Sequence, residues 1–163
     1  MMPKGIMRRK DLLLSDTEAK SILAEAEVAT ISTVDKTGQP YGVVVNYAFD
    51  GDRTVYFHCA GEGHKLKNIK ECPKVCISAV SAFQVLSAQV SAYYRSVTGF
   101  GTAEIVEVGE TKAKALRLIM DKYCPGVDCR GRAHTAAETT VVAITLDTVT
   151  GKRSARTLEN PGV

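Results

Sequence analysis

Apolar positions along the chain change period several times, and each change marks an element. Ala19, Ile22, Leu23 and Ala26 recur at helical spacing behind Ser15 and Glu18, a capping-box pair, so the spacing predicts a first helix there. Residues 28–34 read as a strand with the apolar or small residues Val28, Thr30, Ser32 and Val34 on one side. The polar run 35–40 is a turn, and residues 41–49 and 54–60 are Val- and Tyr-bearing strands joined at Asp50-Gly51-Asp52. Gly61-Glu62-Gly63 opens a short helix over 64–71 that stops before Cys72-Pro73. A fourth strand covers 75–80, whereas 81–91 fits neither the helical nor the strand period. Residues 93–108 form one long strand or a bent pair broken at Gly99 and Gly101. A helix over 111–123 puts Leu116, Ile119, Met120 and Tyr123 on one face and ends at Cys124-Pro125-Gly126. The last strand, 139–149, alternates through Val142, Ile144 and Leu146. Six strands with short hairpins and interspersed helices predict a mainly β fold, a small antiparallel barrel with peripheral helices. No repeat or long linker divides the chain, so one domain over 1–163 is expected, with 1–14 as a mobile or strap-like segment.

Composition narrows the class. At 163 residues, 45% hydrophobic and 24% charged, the chain is large and apolar enough to hold a core without disulfides or metal. No apolar run approaches the roughly 20 residues of a membrane span, and the run after Arg8, Arg9 and Lys10 is too short for a secretory signal. A cytoplasmic address, with no membrane partner, is the expectation. A formal charge of +3 is too mild to argue for nucleic acid. The five cysteines (Cys59, Cys72, Cys76, Cys124 and Cys129) are an odd count that points to reduced thiols, and Cys59 and Cys76 fall in apolar strands where buried, inert thiols are usual.

Most of the candidate chemistry lies in one stretch. A strand ending at His58-Cys59-Ala60 runs through Gly61 and Gly63 into a helix that starts His64-Lys65. Free backbone N–H groups at a helix start, permissive glycines and an ammonium suit a phosphate group. From the residues alone, a plain strand-to-helix turn with a solvated lysine fits as well. The spacing is not that of a Walker A loop. Gly99-Phe100-Gly101 fails as a dinucleotide fingerprint, since Glu104 stands in the third glycine position and no helix follows at once; glycines that let a long strand bend are the simpler reading. Cysteine and histidine spacings do not make a zinc site, and no serine-hydrolase elbow is present.

The ordered set Met7-Arg8-Arg9-Lys10, Gly38-Gln39-Pro40-Tyr41-Gly42-Val43, Tyr56-Phe57-His58-Cys59-Ala60, Gly63-His64-Lys65 and Tyr94-Arg95-Ser96-Val97 resembles the nitroimidazole-resistance branch of the pyridoxamine-phosphate-oxidase-like flavoproteins. The similarity runs from about Met7 to Thr150. It implies a split β-barrel homodimer that binds FMN between subunits, with FAD or haem as alternative cofactors. On that pattern Val43, Val44, Val45 and Asn46 lie along the flavin ring, and His58, Cys59 and Ala60 pass beside it. Gly63, His64 and Lys65 hold the phosphate, and Arg95, Ser96 and Val97 approach from the long strand near the dimer interface. The chain has no Trp and no Arg-Leu-x-Pro motif after Gly151, so the resemblance does not extend to vitamin B6 oxidation.

Two functions follow as expectations. One is a flavin-dependent reductase of small molecules such as nitroaromatics, with His58 as proton donor or substrate contact. The other is a non-catalytic flavin or haem carrier or sensor, with His58 or His64 available as an axial ligand. For His58 itself a core histidine satisfied by backbone is the competing reading.

Overall fold

The computed structural model describes residues 7–127 and 139–156, so Lys4 and Cys129 lie outside the described residues. Six strands, β1 (Val28–Val34), β2 (Pro40–Phe49), β3 (Thr54–Cys59), β4 (Lys74–Leu86), β5 (Ser91–Val106) and β6 (Thr140–Arg153), close into an antiparallel barrel. Their order is β1-β2-β3-β6-β5-β4, with β4 pairing back onto β1. The architecture is mainly β, as the pattern predicts. No described helix is long and apolar enough to cross a membrane.

Three helices cover what the barrel leaves open. α1 (Asp16–Glu25) starts at the predicted capping box: the Glu18 N–H donates to Ser15 Oγ and the Ser15 N–H donates to the Glu18 carboxylate at 2.9 Å. It buries Ala19, Ile22 and Leu23 in the main core. α2 (His64–Glu71) adds Leu66 and Ile69 to the same core, and its buried Asn68 donates to Thr33 of β1 at 3.0 Å. α3 (Glu110–Tyr123) lies over the outside of β2, β3 and β6, where Ala115 and Ile119 meet Ala48, Tyr56, Val141 and Ala143. Val55, Tyr56 and Phe57 are consecutive and all buried because β3 has the core on one face and α3 on the other.

A polar joint locks α1 and α3 onto β2. The Tyr123 hydroxyl accepts from the Tyr47 N–H at 2.9 Å and sits within donating reach of the Tyr47 and Glu27 carbonyls. Lys122 donates to the Ala26 carbonyl at 2.7 Å and lies 4.1 Å from the centre of the Tyr47 ring. Tyr47, fully buried, donates to the Leu23 carbonyl at 2.7 Å, and burial raises its phenol well above the ordinary range. Desolvation lowers the Lys122 ammonium from its usual value.

The structure corrects three expectations. In β1 the inward side chains are Ala29, Ile31 and Thr33, not the Val28, Thr30, Ser32 and Val34 set. Both alternations contain apolar residues, and the larger branched Ile31, fully buried, takes the core. β4 does not stop at 80 but continues to Leu86, because a bulge between Val80 and Ala82 shifts the register and breaks the period-two signal. Cys59 and Cys76 are half-buried rather than buried.

The Gly99-Phe100-Gly101 segment lies within one continuous strand, β5, opposite an irregularity in β6. The β5–β6 register shifts between Phe100 and Gly101, where Asp147 is an extra residue of β6. A Cβ on Gly101 would lie 2.3 Å from the Thr145 carbonyl oxygen, whereas one on Gly99 would meet the ends of the Ile77 and Leu146 side chains at 3.0 and 3.1 Å. Side-chain ends yield and ladder backbone does not. Gly101→Ala is therefore expected to cost about 3 kcal/mol or more, at or above the upper end of overpacking losses, and Gly99→Ala clearly less. Urea denaturation of the two variants checks the order.

Candidate functional site

β3 delivers the chain to α2 through Gly61-Glu62-Gly63. Gly63 has φ 146° and ψ 166°, a conformation open to glycine and strained for other residues, although a Cβ there would meet nothing within 4 Å. Its carbonyl accepts from the Leu66 and Lys67 N–H groups, both at 3.1 Å. No side chain caps α2, so the helix itself offers the His64 and Lys65 N–H groups no partner. Its first turn holds no acidic residue, while Lys65, Lys67 and Lys70 add positive charge. The local chemistry suits an anion.

The two residues at the helix start face different surroundings. The His64 ring stacks on Tyr41 of β2, with centroids 4.4 Å apart and planes 20° apart. On this side Asp35 is held below the usual carboxylate range by hydrogen bonds from Thr37 and Gln39, with a smaller contribution from His64. Lys65 instead acts on Cys59: burial pushes that thiol up, and the nearby ammonium offsets part of the rise.

His58 is exposed, so it is not a core histidine. Phe57 and Tyr47 pair across β3 and β2 with both side chains in the core, so His58 and Asn46, one step further, share the outer face. His58, Cys59, Ala60 and Gly61 form one wall of a groove of about 510 Å³, and Leu116, Ile119 and Met120 of α3 form the other. The apolar wall from α3 was legible as a helix face in the sequence, but nothing local linked it to His58.

Register also sorts the strand candidates. Val45, Ala29, Ala79 and Val97 make one buried row across β2, β1, β4 and β5. Val45 and Val97 thus point into the core, and Val43 packs against it. The rows on either side face out: Val44, Thr30, Ser78 and Thr98 in one, Asn46, Val28, Val80 and Ser96 in the other. At roughly 4.8 Å per strand, Asn46 and Ser96 stand about 14 Å apart on this face. No described helix packs over it, its side chains are short, and Val44 is 62% exposed. The structure thus brings His58, Cys59, Ala60, Gly63 and Lys65 together beside the outward Val44 and Asn46. Arg95 is not with them: it has inward parity and reaches back to Glu25 and Ser21 of α1. Among the described residues no three His, Cys, Asp or Glu side chains converge to hold a metal ion.

A barrel of this topology with a glycine-led helix start beside one bare sheet face is the split-barrel arrangement. The sequence model of the Pyridoxamine 5'-phosphate oxidase family matches residues 15–153, and the chain belongs to that family. Among solved structures it is similar to a Bacteroides thetaiotaomicron protein provisionally assigned to 5-nitroimidazole antibiotic resistance, with 24% identity and a TM-score of 0.71 over 87% of this chain and 86% of that one. It is also similar to the flavocytochrome Anf3 from Azotobacter vinelandii (20%, TM-score 0.76, 96% and 76% of the chains). A third likeness is to an FAD- and haem-binding protein from Mycobacterium smegmatis (22%, TM-score 0.73, 90% and 74%). These likenesses establish the fold. A comparison with curated protein sequences finds no match.

The Cys59–Lys65 contact is testable in solution. Since burial raises the thiol and Lys65 lowers it in part, Lys65→Met is expected to raise it further. The pH midpoint of Cys59 alkylation by iodoacetamide, followed by peptide mass spectrometry, should lie above that of an ordinary thiol and move higher still in the variant.

Proposed function

We propose that the chain is an FMN-dependent reductase of small molecules such as nitroaromatics, working as a homodimer with the cofactor between its bare sheet faces. The observation that carries this reading is the uncapped, glycine-led start of α2 with Lys65, set beside an outward sheet face of short side chains. The cradle suits a phosphate monoester, and the low profile of Gly42, Val44, Thr30 and Ser78 leaves room for a planar ring. These residues fit FMN. The solved structures similar to this chain include proteins that bind FAD or haem, in keeping with a cofactor on this fold.

A bound flavin supplies hydride chemistry at its N5. The chain's own part is to fix the phosphate with Lys65 and the free N–H groups of α2, and to exclude water along the Val44 face. His58, exposed at the groove mouth beside Asn46, is placed to hand a proton to a substrate acceptor atom or to hydrogen-bond it. The bare face itself argues for a second copy. Val28, Val44 and Val80 are exposed on it, and the bulge after Val80 turns Phe83 and Val85, 67% and 62% exposed, onto the same side. A flavin or haem carrier is the second reading, favoured by the exposure of His58 at an apolar groove where it is free to ligate iron.

Fluorescence titration of the apoprotein tests the cofactor. FMN should quench on binding, and Lys65→Ala should weaken FMN about tenfold or more while leaving riboflavin unchanged, because one charge-assisted contact is worth about 1.5–3 kcal/mol. Riboflavin binding as tightly as FMN would remove the cradle assignment.

His58→Gln should keep the fold and FMN affinity and lose most nitroreductase turnover with a chemical or nicotinamide reductant. Unchanged turnover would favour the carrier reading. Light scattering of the loaded protein should give twice the 17.5 kDa chain mass, and a single-chain mass would refute the dimer.

A further inference from the structure

On the strand pair β5–β6, Arg95 and Arg153 stand directly opposite each other. Like charges at directly paired positions of an antiparallel sheet repel, and such pairs are ordinarily avoided. Here the repulsion is offset only in part, by the Glu18 carboxylate, which hydrogen bonds from Ser15 and, to a smaller extent, both arginines draw below its usual range. Arg95 has one loose contact to Glu25, at 3.5 Å, and one to Ser21 at 3.4 Å. Arg153 makes no ion pair or side-chain hydrogen bond among the described residues, and neither does Arg156.

All three arginines line one groove of about 550 Å³, together with Tyr93 and with Leu12 and Leu14 as an apolar floor. Two carboxylates border it, and both are engaged. Asp11 takes two hydrogen bonds from Arg9, at 2.8 and 2.6 Å, and Glu18 closes the Ser15 capping box, with a smaller through-space attraction to Arg153 and Arg95. The arginine backbone is also anchored: the buried Ser154 donates its N–H to the Tyr94 carbonyl and its hydroxyl to the Arg156 carbonyl. The groove is separate from the α2 cradle, with which it shares no residue.

We propose that this groove is a second anion site that takes the phosphate group of a phosphorylated small molecule of roughly nucleotide size. A planar carboxylate is satisfied by one guanidinium fork. Two arginines at directly paired strand positions, with a third lining the same groove, can meet the oxygens that a tetrahedral phosphoryl group presents in several directions. The apolar floor and Tyr93 provide contact for the organic part. This site does not depend on the flavin reading, since none of its residues belongs to the cradle or to the His58 groove.

The test is calorimetric titration of the intact protein, as purified, with ADP, pyrophosphate, adenosine and succinate. ADP and pyrophosphate should bind, adenosine and succinate should not, and Arg153→Gln and Arg156→Gln should each weaken ADP about tenfold. Lys65→Ala should leave ADP affinity unchanged; loss of ADP binding in that variant would place the anion in the cradle and overturn the proposal. Equal binding of succinate, equal ADP affinity in the arginine variants, or no ADP binding at millimolar concentration would each do the same. A second measurement needs no ligand. If the Arg95–Arg153 pair is held against repulsion, Arg153→Gln alone should raise the melting temperature at low salt, with the gain shrinking at high salt. A lower melting temperature in that variant would refute the premise of net repulsion.

Discussion

One buried row of side chains, Val45, Ala29, Ala79 and Val97, fixes the register of four strands at once. Because side chains in a strand alternate with period two, a slip of one residue anywhere in that row would send the core outward on every strand involved. The row therefore also decides what lies outside. Val44, Asn46, Thr30, Val28, Ser78, Val80, Ser96 and Thr98 have no choice but to face away from the core. With α1 and α2 adding to the core and α3 spread over β2, β3 and β6, no helix among the described residues remains for this face. The bare surface beside the cradle is thus a consequence of packing elsewhere, and the placement of Lys65 and His58 at its border follows from where β3 must end.

The sequence makes legible what is local. The helix over 64–71 appears with the predicted bounds because its start is set by a glycine of unusual φ and its end by Cys72-Pro73, signals that need no distant partner. The capping box of α1 is read as easily. The face of β1 is not decided locally, because both of its alternations carry apolar residues and only packing across the barrel chooses between Ile31 and its neighbours. The stretch 81–91 stayed blank for a different reason. A bulge adds one residue, so the inward series Val75, Ile77, Ala79 is followed by an outward Phe83 and Val85, and no single period describes both.

The same distinction applies to the site. Gly63, His64 and Lys65 lie within a few residues at one helix start, so the proposed cradle is local enough to be read from the sequence. The groove beside His58 needs α3, and the outer sheet face needs β2, β1, β4 and β5 in register, so neither is written in any window of the sequence. Parity also sorts the Arg95-Ser96 pair: Ser96 faces outward, and Arg95 turns the other way, toward α1 and Arg153.

Local rules are broken in this fold at identifiable places, and each has a structural cause or a chemical use. Gly101 leaves out a side chain because the Thr145 carbonyl occupies its space. Exposed Val28, Val44 and Val80 disobey the usual polar surface, yet short apolar side chains on a flat sheet are what a planar ring or a second copy can cover without a large desolvation cost. The opposed arginines disobey the sheet-pairing rule for a small structural return, the loose contacts of Arg95 to Glu25 and Ser21 and the through-space attraction of both to Glu18. A fold that keeps a repulsive pair at a paired position, with its backbone anchored by buried Ser154 and its carboxylate neighbours already engaged, carries positive charge that an added anion would further relieve. By that physical criterion the arginine groove stands apart from the bare sheet face, whose exposed valines a second copy of the chain would cover.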